Sequence, residues 1–187
     1  MAGKNNWLPI KYLILLSLLF LISTACVKNQ SNLSSSNFPS LMKLTSPVFI
    51  HNSFLPAKFT CAGEDINPPL SISEIPSVAK SLVLIVDDPD APGGDWVHWL
   101  VWNISPETKD IAENSIPPGA VLGTTDFGRS NWEGPCPPSG IHHYQFKLYA
   151  LNDIIDLAPG SKKSDLEAVM SGHILDQALL VGQYQRQ

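Results

Sequence analysis

Two histidines stand where prolines and glycines crowd the chain. His98 follows Asp88-Pro89-Asp90-Ala91-Pro92 within Trp96-Val97-His98-Trp99, and His142 lies near the end of Gly134-Pro135-Cys136-Pro137-Pro138-Ser139-Gly140-Ile141-His142-His143-Tyr144. Imidazole N–H groups, the Tyr144 hydroxyl and the backbone N–H groups of a Gly/Pro turn are donors that can be held in place, which suits a small anion. Proline stiffens both loops, so presenting those donors carries little ordering cost. Asp88 would repel a phosphate, and its expected part is to orient a histidine or to meet a cationic headgroup. Asp90 is expected only to shape the turn. Alone, His98 would read as a satisfied core histidine and Tyr144 as a strand aromatic; two histidine-bearing loops together point to one pocket.

Two other chemistries fit the same residues less well. Asp88, His98 and His142 could act as acid-base groups of a hydrolase, but no Ser or Cys stands in a nucleophile motif such as G-x-S-x-G. The same three could bind a metal, but they lack paired spacing such as H-E-x-x-H. No catalytic residue, metal or cofactor is therefore assigned. His51, His143 and His173 have no partner signal and are expected at the surface.

The elements that would position the pocket can be read around it. Leu82-Val83-Leu84-Ile85-Val86 is a continuous apolar run, as in a strand buried on both faces, and it delivers the chain into Asp87-Asp88. Period two over the strand 96–104 places Trp96, His98, Leu100 and Trp102 on one face, and Val97, Trp99, Val101 and Asn103 on the other. The same rule over 141–151 puts His142 with Tyr144 and turns His143 away. Short strands are expected at 43–50 and 58–61, and a long excursion with little regular structure at 105–129. Ala91-Pro92 is a candidate cis bond. Ser164-Asp165-Leu166-Glu167 reads as a capping box opening a helix that resumes past Gly172 and ends near Gly182. The sum is a mainly β, sandwich-type domain over 41–187 with a C-terminal helical segment.

The N-terminus follows another logic. Lys4 and Lys11 flank the start of a run, Tyr12 to Ile22, too short for an ordinary span, which marks 1–25 as a signal peptide. Cys26 after small residues resembles a bacterial lipobox, although Ser23 stands where Leu is usual; lipidation of Cys26, simple cleavage and an uncleaved anchor are the alternatives, and each exports the domain. Residues 26–40, rich in Ser and Asn, read as a tether. Localisation would be the periplasmic side of a bacterial envelope, with membrane contact through the anchor. Of three cysteines, Cys61 and Cys136 then remain, a pair suited to a disulfide in an oxidising compartment, with two separate buried thiols as the alternative. Net charge is −5 with scattered cations, which excludes a nucleic-acid surface.

The residues quoted above, with Asp126-Phe127-Gly128, Phe59-Thr60-Cys61 and Asn67-Pro68-Pro69-Leu70, make the chain resemble the phosphatidylethanolamine-binding protein family in its bacterial Raf-kinase-inhibitor-like branch. The resemblance spans about Leu44 to Arg186. It implies a Greek-key-like β-sandwich whose shallow pocket binds phosphate-like anions or phospholipid headgroups, and it carries the pocket onto Asp88, Pro92, Trp96, His98, Gly134, His142 and Tyr144. It also implies a possible inhibitory role toward a partner protein, which no residue here identifies. His143 departs from the family's usual Arg, and Ile72 from the Trp common in bacterial members.

Overall fold

The computed structural model describes Gly3 and residues 41–186. Gly3 apart, the expected signal peptide, the Cys26 lipidation site and the tether fall outside the described residues.

Among the described residues, nine strands and one helix follow in the order β1 (Lys43–Thr45), β2 (Ser53–Phe54), β3 (Leu70–Ser73), β4 (Ser81–Asp88), β5 (Trp96–Ile104), β6 (Asp110–Ile111), β7 (Val121–Leu122), β8 (Ile141–Leu151), α1 (Lys163–Met170) and β9 (Ile174–Gln185). They form a six-stranded sheet ordered β2-β9-β8-β4-β5-β7 and a three-stranded sheet ordered β1-β3-β6. β4 lies between β8 and β5 and is buried along its whole length, as its apolar run requires. Between the sheets, Leu44, Leu70, Ile72 and Ile111 meet Leu84, Val86, Trp99, Phe146 and Leu148. The other face of the large sheet buries Val83, Ile85, Leu100 and Trp102 under Leu166 and Met170 of α1. The described residues form a β-sandwich with one α-helix, the fold class expected from the sequence.

Four local expectations are corrected. Residues 58–61 belong to a 3-10 turn, Ala57–Phe59, and the turn after it, where the backbone N–H groups of Glu64 and Asp65 donate to the Lys58 carbonyl. The helix starts at Lys163, and Asp165 rather than Glu167 closes its cap, accepting from Lys162 N at 3.0 Å. Past Gly172, at φ 83°, the chain is strand and not helix. Ala178, Leu180 and Tyr184 alternate onto the inter-sheet core, and Gly182 makes room for Leu55 on that face: a Cβ there would lie 2.7 Å from Leu55 Cγ. Finally, Ala91-Pro92 is trans; Gly94, at φ 103°, makes the reversal and its N–H donates to the Ala91 carbonyl.

The correction that matters for the site is in β5. Val86 pairs with Trp99 and Asp87 with Val97, so His98 is the extra residue of a β-bulge. The bulge breaks the period-two alternation. Val97 joins Leu100 and Trp102 under the helix, whereas His98 turns to the side of Trp99 and Tyr144.

Candidate functional site

Asp87 and Asp88 end β4 and point to opposite faces, as successive strand residues must. Asp87, fully buried, is met by Lys147 at 2.8 Å and Lys163 at 2.6 Å, and Lys163 also pairs with Asp95. Burial works against the Lys163 charge, yet these carboxylates outweigh it and push its pKa up. Asp88 serves the other face. Its Oδ2 lies 2.7 Å from His142 Nδ1, and its Oδ1 accepts from Asp90 N at 2.9 Å. Asp88 thus orients a histidine, the part expected of it.

His98 is fixed from three sides. Its Nδ1 donates to the Glu133 carbonyl at 2.5 Å, and its ring meets Phe127 and Tyr144 edge-on at 5.3 and 5.1 Å. Burial lowers its pKa, with the hydrogen bond to Glu133 and the Asp88 charge acting in opposition. Phe127 is held there because Asp126 clamps the start of β5, its carboxylate accepting from Val97 N at 2.7 Å and its N–H donating to Val97 O. Tyr144 is 1% exposed, and its hydroxyl lies near the Asp88 carboxylate and the Cys136 backbone but makes no well-formed hydrogen bond among the described residues. Burial, with the Asp88 charge behind it, raises its pKa, so the hydroxyl stays protonated.

Asp88, Pro92, Trp96, His98, His142 and Tyr144 line one cavity of about 250 Å³, completed by Ala91, Gly93, Phe127 and Cys136 to Pro138. Larger depressions of about 550 and 840 Å³ lie elsewhere, but neither gathers buried histidines. Gly134 stands apart from the cavity. Its N–H donates to Asp65 Oδ1 at 2.7 Å and a Cβ would lie 2.4 Å from that oxygen, so it is a packing glycine. Cys136 is disulfide-bonded to Cys61, tying the cavity wall to the Thr60-Cys61 loop. Among the described residues, no three His, Cys, Asp or Glu side chains group as a metal site.

Two residues to which the sequence assigns no part in the pocket belong to the site's frame. His143 donates through its backbone N and approaches through Nδ1 the same Asp90 oxygen, at 2.8 and 2.7 Å. These contacts hold the Asp90 pKa below its ordinary value. Asp88 and Asp90 thus grip His142 and His143 in parallel, joining the two Pro/Gly loops. Phe127 was visible only as part of a quoted motif. Nothing in the local sequence signals the Asp90–His143 pair, because it spans 53 residues.

The profile of the family described as phosphatidylethanolamine-binding protein matches residues 45–185. The chain belongs to that family. A UPF0098 protein of Methanothermobacter thermautotrophicus is 46% identical over 150 residues, 78% of this chain and 99% of the relative. One from Chlamydia muridarum is 43% identical with the same coverage. Among solved structures, a proposed phosphatidylethanolamine-binding protein homolog of Chlamydia trachomatis superposes with a TM-score of 0.76 at 42% identity, covering 78% of this chain and 98% of that one. YbcL of E. coli, described as a new member of the mammalian family, gives 0.73 at 30% identity, covering 78% and 99%. These relations support a binding module of the phosphatidylethanolamine-binding protein type.

Proposed function

We propose that the protein is an exported binding module whose cavity between the two Pro/Gly loops holds a small phosphate-like anion or a phospholipid headgroup, with Cys26 as its lipid anchor to the cell envelope. The observation that carries the binding reading is the Tyr144 hydroxyl, buried, protonated and, although the Asp88 carboxylate and the Cys136 backbone lie near it, without a well-formed hydrogen bond, in a cavity whose two histidines are already oriented from behind. A buried hydroxyl without a partner is costly, and a ligand oxygen would satisfy it. The volume, about 250 Å³, suits a headgroup and leaves acyl chains outside. The family's name points to phosphatidylethanolamine, whose headgroup carries a phosphate and an ammonium; Asp88 supplies the negative charge an ammonium would seek. The Cys61–Cys136 bond is in keeping with an oxidising compartment.

Binding fits the cavity better than hydrolysis does. No serine side chain lines it, and its one cysteine is held in the disulfide. Titration calorimetry with inorganic phosphate and with phosphoethanolamine tests the reading. Binding weakened about tenfold or more in Tyr144→Phe is expected; equal affinity in the variant would remove the supporting observation. For the anchor, the intact mass of the mature protein should show Cys26 lipidated at the N-terminus, and an unmodified Cys26 would sink that part.

A further inference from the structure

The two segments that fix His98 also wall another cavity, of about 230 Å³, which shares no lining residue with the first. Trp99, next to His98 on β5, and Trp132, next to Glu133, line it at 1% and 6% exposure. Neither indole Nε1 has a hydrogen-bond partner among the described residues. The rings meet edge to face, at 87° with centroids 5.7 Å apart, and in that arrangement at most one N–H can rest on the other ring's face. At least one buried donor is therefore left without an acceptor, a deficit that native proteins rarely leave unfilled.

Much of the remaining lining is polar and already held in place. The buried Asn67 side chain accepts from Ser115 N at 2.9 Å and donates to the Ala112 carbonyl at 3.0 Å, which fixes the loop forming one wall. Asp65 Oδ1 accepts from Gly134 N, and the Asn131 amide donates to the Trp132 carbonyl. Asp65 Oδ2, Asn131 Oδ1 and the Asn114 amide stay unengaged among the described residues. These three residues are exposed, so the cavity opens to solvent. Asp65 is the one ionisable group in the described lining, which works against an anion. An apolar ligand would leave the indole N–H groups unpaired, and an ammonium would bring them only donors.

We propose that this cavity is a separate binding site for a single uncharged sugar ring, the indole N–H groups donating to its oxygens while its hydroxyls donate to Asp65 and Asn131. Every sugar hydroxyl both donates and accepts, which matches a lining that mixes the two around its whole circumference. Ile66 and Ile116 offer the apolar contact that the C–H faces of such a ring take. The volume lies below that of pockets for drug-sized ligands and suits one ring rather than a chain of them. The site does not depend on the anion-binding reading of the first cavity.

Titration of the isotope-labelled full chain with glucose, galactose, mannose and N-acetylglucosamine, followed through the indole N–H resonances, tests the proposal. At least one of these sugars should shift Trp99 and Trp132 saturably. Trp102, whose N–H is also unpaired but which packs under α1, should stay unmoved, and acetamide should shift none of them saturably. Trp132→Phe removes one N–H and keeps an aromatic ring; Asn114→Gly trims the rim at φ 51°, where glycine is at ease. Each should weaken sugar binding about fivefold or more. Resonances that stay still with all of the sugars at high millimolar concentration would overturn the proposal. So would equal shifts with acetamide, or unchanged affinity in either folded variant.

Discussion

His142 Nδ1 lies 2.7 Å from Asp88 Oδ2, and both side chains are buried. The pair joins the end of β4 to the start of β8, and beside it Asp90 holds His143, so two ties from one loop fix the other. Breaking a buried pair by removing one partner leaves the other uncompensated. Asp88→Ala should cost about 3 kcal/mol in urea denaturation and abolish phosphate binding. A loss under about 1 kcal/mol would mean the pair behaves as an exposed one.

Asp87 offers a control one residue away. Asp87→Ala should destabilise by a similar amount, about 3 kcal/mol, because Lys147 and Lys163 lose their shared carboxylate. The cavity lies on the other face, so the affinity for phosphate in the folded variant should stay within about twofold of wild type. Loss of binding in a folded Asp87→Ala variant would contradict the separation of the two faces.

The disulfide closes a sequence separation of 75 residues. Constraining an unfolded loop of that length is worth about 4 kcal/mol by chain entropy. Replacing both Cys61 and Cys136 with serine should lower stability toward that extent, and should also weaken phosphate binding, since Cys136 lines the cavity. Unchanged stability on reduction would show that the bond constrains nothing the fold does not already hold.

Stability should fall on mild acidification. Burial keeps the folded His98 pKa below its ordinary 6.5, so below that pH the unfolded chain binds more protons than the native one. The contribution is intact above 6.5 and is lost as pH drops beneath it. Asp90 acts in a separate window: its lowered pKa supports the fold above its ordinary 3.8 and gives way only as pH falls below that. Denaturation of wild type and His98→Gln between pH 7.5 and 5 should show a flatter pH dependence in the variant. Equal slopes would remove His98 from the account.

Much of this was legible in the sequence, and the misses share physical causes. The apolar run of β4 fixed the centre of the sheet, and the two Pro/Gly loops located the cavity because their residue types serve little else. The bulge at His98 was hidden, since Trp96 to Ile104 looks apolar at nearly every position and carries no parity signal to break. β9 looked helical because Ile174, Leu175, Ala178 and Leu179 fit helical spacing; its pairing along β8 decided otherwise. The commitment of both Nδ1 protons could not be read at all, because it depends on a carbonyl 35 residues and a carboxylate 54 residues away.

The most direct test of the central claim is an NMR titration of the imidazole resonances with inorganic phosphate. His51 and His173 lie outside the cavity and serve as internal references. The account predicts saturable shifts of His98 and His142 with His51 and His173 unmoved. Still resonances at His98 and His142 at millimolar phosphate, or equal shifts at all four, would contradict it.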